Sequence, residues 1–489
     1  MSILLLLIPL LCIFILNLPR RSAAARSAPW IVGFACLLQA LIALTAHTSL
    51  AQPLNDMLVL PLPIELVIDP ISAVFLFMIA LVVTVANTVG IGGKVVAGDV
   101  AGAGTGEAAG AGGDARNKVI ASSLILICMA GMDGVVMVRD LFSLYIFLEI
   151  TALSAFVLIA LRKSLEALSG AFKYFILSGL ASLAIMLANA LIFMQIGNLS
   201  FAVVGTALSS DDQVVQIALI LYTVAFCIKA GVAPFHGWLP DAYSSASSAI
   251  SVLLAGVITN VAGAYVIIRL MNDVFVGLVV PSQAFMVLGA FTIVIGAFAA
   301  IGQKEMKRML AFSSISQMGY IIIAAGLATP LALIGAVVHF VNQALFKSLL
   351  FVNAAAVEEQ TGTTEFDKLG GLAERLKVTG WTSTIGVLST AGIPPLSGFW
   401  SKLLIVIALV IADQWFYAAL VVLMSLVTLG YFLILQRKVF FGKLREGFEE
   451  LREARGPLVG AAVALAALTT CLGLLFPVVL VVLQGFGLV

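Results

Sequence analysis

Residues 230–237 read AGVAPFHG, and residues 391–398 read AGIPPLSG. Both fit the frame A-G-[VI]-x-P-[FL]-x-G, with six of eight positions matching across a separation of 161 residues. Each octapeptide lies inside an apolar stretch. Proline removes a backbone donor and glycine admits left-handed backbone, so each copy is expected to break a helix. Non-helical backbone at membrane depth is tolerated where it lines a hydrated cavity. Five helix steps separate the copies, and an odd number turns the second copy upside down relative to the first, the inverted-repeat logic of transporters. The bland reading is two coincidental kinks, and the length of the match argues against it.

Outward from these two points the chain stays apolar to both ends. Of its 489 residues 62% are hydrophobic and 10% charged, with a mean hydropathy of +1.16. Soluble domains carry about 25% charged residues. A membrane span needs roughly 20 apolar residues. Stretches of that kind recur near 2–17, 29–51, 70–92, 118–137, 141–161, 167–196, 213–235, 246–269, 275–301, 307–328, 331–357, 379–407, 409–436 and 457–485. An all-α integral membrane protein of about fourteen transmembrane helices follows, with the seventh and twelfth broken. A β-barrel is excluded, because its strands alternate polar and apolar every second residue.

Basic residues set the expected topology. The first apolar run has no basic residue before it, and Arg20, Arg21 and Arg26 come after it, so it is not read as a cleaved leader. With alternate loops assigned to the cytoplasm, 20 Lys and Arg fall inside, and only Arg139 and Arg269 fall outside. That bias predicts both termini on the outer face of the cell membrane, and cytoplasmic loops at 93–117 and 358–377. Residues 437–455 (RKVFFGKLREGFEELREAR) are read as a short surface helix on the cytoplasmic side. The Gly/Ala-rich stretch 93–117 contains GxGxx-like spacings without the strand that a nucleotide site needs, so it is read as a flexible linker. Cys12, Cys36, Cys128, Cys227 and Cys471 are scattered singly. Without a CxxC pair neither an iron–sulfur cluster nor a zinc site is expected. No motif for flavin, nicotinamide, quinone or nickel occurs, so no cofactor, metal or redox chemistry is expected in this chain, and no nucleic-acid partner.

The remaining four lysines, Lys173, Lys229, Lys347 and Lys402, lie inside apolar segments, with Glu149, His339 and Asp133. Each charge at the bilayer centre costs roughly 2.5–3.5 kcal/mol on insertion scales, and such groups mark ion pathways. One lysine–glutamate pair would be explained by static pairing, but here the bases outnumber the acids, which favours a proton relay. His339 and Lys347 are eight residues apart, so on a helix they share a face about 12 Å apart. Gln343 lies midway. His236 adjoins the first break, where a helix-end hydrogen bond is the plainer reading. His47 lies near the end of the second segment and is read as non-functional.

At these residues the chain resembles the antiporter-like proton-pumping subunits shared by respiratory complex I, group 4 membrane-bound hydrogenases and Mrp-type sodium/proton antiporters. The stretches that carry the resemblance are DLFSLYIFLEI (140–150), AFKYFILSG (171–179), IKAGVAPFHGWLPDAY (228–243), QKEMKRMLAFSSISQMGY (303–320), HFVNQALFKSLLF (339–351) and AGIPPLSGFWSK (391–402). The resemblance implies two inverted five-helix repeats. Residues 1–117 would then hold three leading helices and the linker. Residues 118–270 and 271–436 would be the two half-channel repeats, and 437–489 a charged segment with the last helix. Glu149 looks like the family's glutamate of the fifth helix, and Lys229 like the lysine of the seventh that it pairs with. His339 and Lys347 look like the connecting axis, and Lys402 like the twelfth-helix residue of the second half-channel. Two positions depart from the pattern. Asn260 stands where the family often has a lysine, and Gln343 where it often has a second histidine, so both interrupt the line of ionisable groups.

The resulting expectation is a proton-translocating subunit of a multisubunit membrane complex, driven by electron transfer in redox partner subunits and assembled with homologous antiporter-like subunits. One rival is an Mrp-type antiporter subunit that exchanges sodium for protons with no redox partner. The other is a structural membrane subunit whose buried charges only fix packing.

Overall fold

The computed structural model describes residues 2–18, 21–46, 64–90, 111–208, 212–478 and 480. His47, linker residues 91–110 and the end of the last apolar stretch lie outside them. Seventeen helices are used below. They are α1 (Ser2–Asn17), α2 (Arg21–Thr45), α3 (Pro70–Gly90), α4 (Ala111–Met137), α5 (Leu141–Ala160), α6 (Leu165–Ile196) and α7 (Phe201–Ala207). Next come α8 (Gln213–Ala230), α9 (Leu239–Ser245) and α10 (Ser248–Asp273), then α11 (Val279–Ile301), α12 (Met306–Leu327) and α13 (Pro330–Thr361). The chain closes with α14 (Lys377–Ala391), α15 (Ser397–Ile411), α16 (Trp415–Val439) and α17 (Gly456–Leu474).

Among the described residues twelve helices are long and apolar enough to cross a membrane. The first of the fourteen expected stretches is the shorter apolar helix α1, and the twelfth is divided between α14 and α15. Large apolar side chains face outward on several helices, such as Phe172 and Leu183 on α6 and Phe416 and Leu423 on α16. In water such surfaces would be costly, and a bilayer accepts them.

Polar residues mark the helix ends. Asp140 caps α5 through the Ser143 amide at 2.7 Å, Ser164 caps α6 through Ala167 at 3.1 Å, and Thr329 caps α13 through Ala332 at 3.3 Å. Each accepts a hydrogen bond from an amide that the helix cannot satisfy. α10 is buried along its length and contains two π-helical stretches, Leu254–Ile258 and Asn260–Tyr265. α11 and α12 lie against each other closely: a Cβ on Gly319 would come 2.6 Å from the Gly289 carbonyl. Small residues allow such approach between membrane helices.

Two expectations change. The first residues of α4, from Ala111 onward, are helical, so the linker gives way to helix before residue 117. Residues 440–455 form turns, bends and irregular backbone, not a surface helix. Gly442 and Gly447, at φ +98° and +88°, take backbone that ends helices.

By internal packing the chain divides into two units, Met1–Ala225 with Ser245–Ala262, and Phe226–Ser244 with Gly263–Val489. Both octapeptides belong to the second.

Candidate functional site

Both octapeptides break their helices. α8 stops at Ala230, Gly231 takes φ +66°, and a 3-10 turn Phe235–Trp238 leads into α9. Side chains and carbonyls replace the lost ladder bonds. The Ala233 amide donates to Thr292 Oγ1 at 3.1 Å, and the Trp238 indole donates to the Ile228 carbonyl at 3.0 Å. In the second copy α14 stops at Ala391, Gly392 takes φ +86°, and α15 opens at Ser397. Ala233–Pro234 and Pro394–Pro395, at the same place in the two frames, are both cis.

The second break makes a seat for Lys402. The final carbonyls of a helix have no partner within it, and they carry the negative end of its dipole. Lys402 Nζ donates to two of them, Thr390 O at 2.9 Å and Ala391 O at 3.3 Å. Glycine is required at 392 by its left-handed φ, and a Cβ there would come 3.0 Å from Lys402 Cδ.

From Lys402 a file of polar groups continues through the second unit. Lys402 Nζ lies 4.6 Å from the centre of the Tyr320 ring, an ammonium–aromatic contact. The Tyr320 and His339 rings are 5.6 Å apart. His339 Nδ1 is 2.9 Å from Ser401 Oγ. That hydroxyl donates to Gly398 O at 3.1 Å, so it accepts from Nδ1–H, and Nε2 is left as the basic atom of the imidazole. Along the same α13 follow Gln343 and Lys347, both buried. Lys347 Nζ donates to Ser313 Oγ, and to Leu310 O at 3.4 Å. It lies 5.7 Å from the Phe432 ring centre.

Several buried atoms here have no hydrogen-bond partner among the described residues: His339 Nε2, Gln343 Oε1 and Ser348 Oγ. Buried polar groups are normally satisfied. A concentration of such atoms in one interior is chemically suited to ordered water.

The other expected site residues are placed as follows. Lys229 is buried in the last turn of α8. His236 is half-buried, with its ring edge-on to Phe312 at 6.3 Å. In the first unit Glu149 is half-buried and accepts from Ser182 Oγ. Asn260, at the start of a π-helical stretch, donates to its own helix, to Ala255 O at 3.1 Å and Gly256 O at 2.9 Å. Lys173 departs from expectation: its side chain is exposed on α6, on the side that also presents Phe172 and Ile176. A helix apolar on every face gives no sequence signal of which side points outward. Among the described residues no group of three His, Cys, Asp or Glu could hold a metal.

Sequence reading missed Tyr320, Ser401, Ser313 and Gln317. Ser313, Gln317 and Tyr320 stand at i, i+4 and i+7 in an apolar helix, and that polar stripe was the available signal.

Fold and site together define a class, the multi-pass membrane proteins with broken helices and an interior file of ionisable side chains. The chain belongs to the NADH:quinone oxidoreductase/Mrp antiporter transmembrane family, whose model matches residues 138–428. It is 31% identical over 363 residues to a protein named as one of the subunits of a Na(+)/H(+) antiporter from Alkalihalophilus pseudofirmus, covering 73% of each chain. It is 34% identical over 379 residues to a protein named as one of the subunits of an NADH-quinone oxidoreductase from Desulforudis audaxviator, covering 76% of this chain and 72% of the other. Among solved structures, a chain of an archaeal membrane-bound sulfane sulfur reductase superposes with a TM-score of 0.83 at 27% identity, over 100% of this chain and 96% of that one. A chain of the Mrp complex from Dietzia superposes with a TM-score of 0.85 at 24% identity, over 99% and 96%.

Proposed function

We propose that this chain is the proton-translocating, antiporter-like subunit of a redox-driven membrane complex. The observation that carries the reading is the buried file Lys402, Tyr320, His339, Gln343, Lys347. It offers basic atoms at intervals, with unsatisfied polar atoms between them that suit water. Lys229, His236 and Glu149 join this relay in the proposal, with Asn260 contributing a water-binding amide. Lys173, exposed on α6, sits at its margin, toward a neighbouring subunit. Redox chemistry in partner subunits changes the electrostatic balance around the buried lysines, which then load a proton from one side and release it to the other. The chain lies in the cell membrane with both termini outside. Residues 118–270 and 271–436 act as inverted half-channels, and homologous antiporter-like subunits adjoin it.

The test is proton uptake by proteoliposomes holding the whole complex. Lys229→Ala, Lys347→Ala and Lys402→Ala are each expected to lower uptake per assembled complex at least tenfold. Wild-type uptake in any one of them removes that residue from the relay.

The likeness to the sodium/proton antiporter protein supports a second reading, sodium/proton exchange without redox partners. Purification in mild detergent separates the two. Companions carrying redox centres support the first, and small membrane subunits with sodium-dependent exchange support the second.

A further inference from the structure

Asp133 plays no part in that relay, and it is the buried acid whose surroundings are least accounted for. It sits in α4 with 0% exposure, and Gln39 of α2 faces it with 1%. Gln39 Nε2 donates to Asp133 Oδ1 at 2.8 Å and to the Leu76 carbonyl of α3 at 3.0 Å. Asp133 Oδ2 and Gln39 Oε1 have no partner among the described residues. Both atoms are acceptors, so neither can satisfy the other unaided. The titratable groups that share this interior are the thiols of Cys36 and Cys128. The basic group on the same stretch of chain, Arg139, is committed elsewhere: its guanidinium donates to Asp69 Oδ2 at 3.0 Å, to Ser72 Oγ at 3.0 Å and to Val138 O at 2.8 Å.

An ionised carboxylate held at full burial by one neutral amide is not a stable arrangement, because no counter-charge among the described residues offsets its desolvation. Something of charge +1 must accompany it. The two free atoms are a carboxylate and an amide oxygen, which suit a small hard cation. A single negative charge matches a monovalent ion. A proton on Oδ2 donates to Gln39 Oε1 and satisfies both orphaned atoms at once, and a sodium ion would do so by binding both.

A polar file leads to this pair. Arg139 and Asp69 are partly exposed, with side chains at 12% and 27%. Ser72, which Arg139 contacts, donates to Val136 O at 2.9 Å. One turn along α3 from Ser72, the Leu76 carbonyl meets Gln39.

We propose that Asp133 and Gln39 form a binding site for one small monovalent cation, a proton or a sodium ion, separate from the basic file of the second unit and reached from Asp69 and Arg139. The site does not depend on the relay reading, which stands or falls on the lysine variants.

The experiment is infrared difference spectroscopy on the purified complex, wild type against Asp133→Asn, in choline and in sodium media. A protonated-carboxyl band that shifts in heavy water, vanishes in Asp133→Asn and ignores sodium assigns the site to a proton. A sodium-dependent loss of that band, or a sodium-dependent rise in unfolding temperature absent from Asp133→Asn, assigns it to sodium. An ionised Asp133 in sodium-free medium, with no effect of sodium on spectrum or unfolding, overturns the proposal. If Asp133→Asn fails to assemble, Gln39→Leu keeps the carboxyl and removes its hydrogen-bond partner. The band must then move, and an unmoved band overturns the pairing.

Discussion

Tyr320 lies between two groups that no sequence pattern joins, the Lys402 ammonium and the His339 ring. Its ring face stabilises a buried cation by about 2 kcal/mol, while its hydroxyl is engaged with Ser425 Oγ, at 3.4 Å, and Thr428, not with Lys402 or His339. The ring and not the hydroxyl should therefore matter. Tyr320→Phe is expected to keep more than half of wild-type uptake per assembled complex, and Tyr320→Leu to lose most of it. Equal losses in the two would show that the hydroxyl acts in transfer. Asn260 gives a graded case. Its amide is turned onto its own helix, donating to the Ala255 and Gly256 carbonyls, and its buried Oδ1 has no partner among the described residues. Asn260→Ala is expected to cost two- to threefold in uptake, well short of the loss in Lys229→Ala, and stopped-flow uptake on both variants measures the difference. At this scale much of the site was legible. His339, Gln343 and Lys347 showed themselves by helical spacing, and Lys402 by lying inside an apolar segment. The sequence could not say which way a lysine points from an all-apolar helix, which is why Lys173 was grouped with the interior ones.

The breaks in the helices were legible because proline and glycine act locally. Their consequence was not, since nothing in the octapeptide says that a lysine four residues beyond it returns to the carbonyls before it. Gly392 tests this. A non-glycine residue in left-handed backbone costs about 1–2 kcal/mol, and a Cβ here also crowds Lys402 Cδ at 3.0 Å. Gly392→Ala is expected to lower the unfolding temperature and to reduce uptake together. Gly430→Ala, in α16 with nothing within 4 Å of the added atom, should be neutral or stabilising by up to ~1 kcal/mol. Calorimetry and uptake on the pair check it, and a benign Gly392→Ala would mean that the seat of Lys402 tolerates movement. The expected helix at 437–455 failed for a matching reason. Its alternating charges suit a surface helix, but two glycines in left-handed backbone outweigh that pattern.

For the whole molecule, the recurrence of unbroken apolar stretches of span length identified an all-helical membrane protein, because barrel strands would alternate polar and apolar residues instead. The orientation rests on the 20-to-2 distribution of basic residues. In a variant without the native cysteines, Thr363→Cys and Glu449→Cys are expected to be shielded from an impermeant thiol reagent in intact cells and to react after permeabilisation. Labelling of either in intact cells would reverse the assigned topology.

α13 is 32 residues long, about 48 Å at 1.5 Å per residue, against a hydrocarbon core of about 30 Å. The surplus is at the end that carries Glu358 and Glu359. Glu358 is bound to Lys307 at the start of α12, and Glu359 to Arg455 just before α17. His339, Gln343 and Lys347 ride on the same rod. A helix hardly stretches, so a push of one ångström on that charged end displaces all three by nearly the same amount and in the same direction. α13 is thus a shaft with a charged handle at one end, and whatever grips the handle moves the buried polar file without touching it.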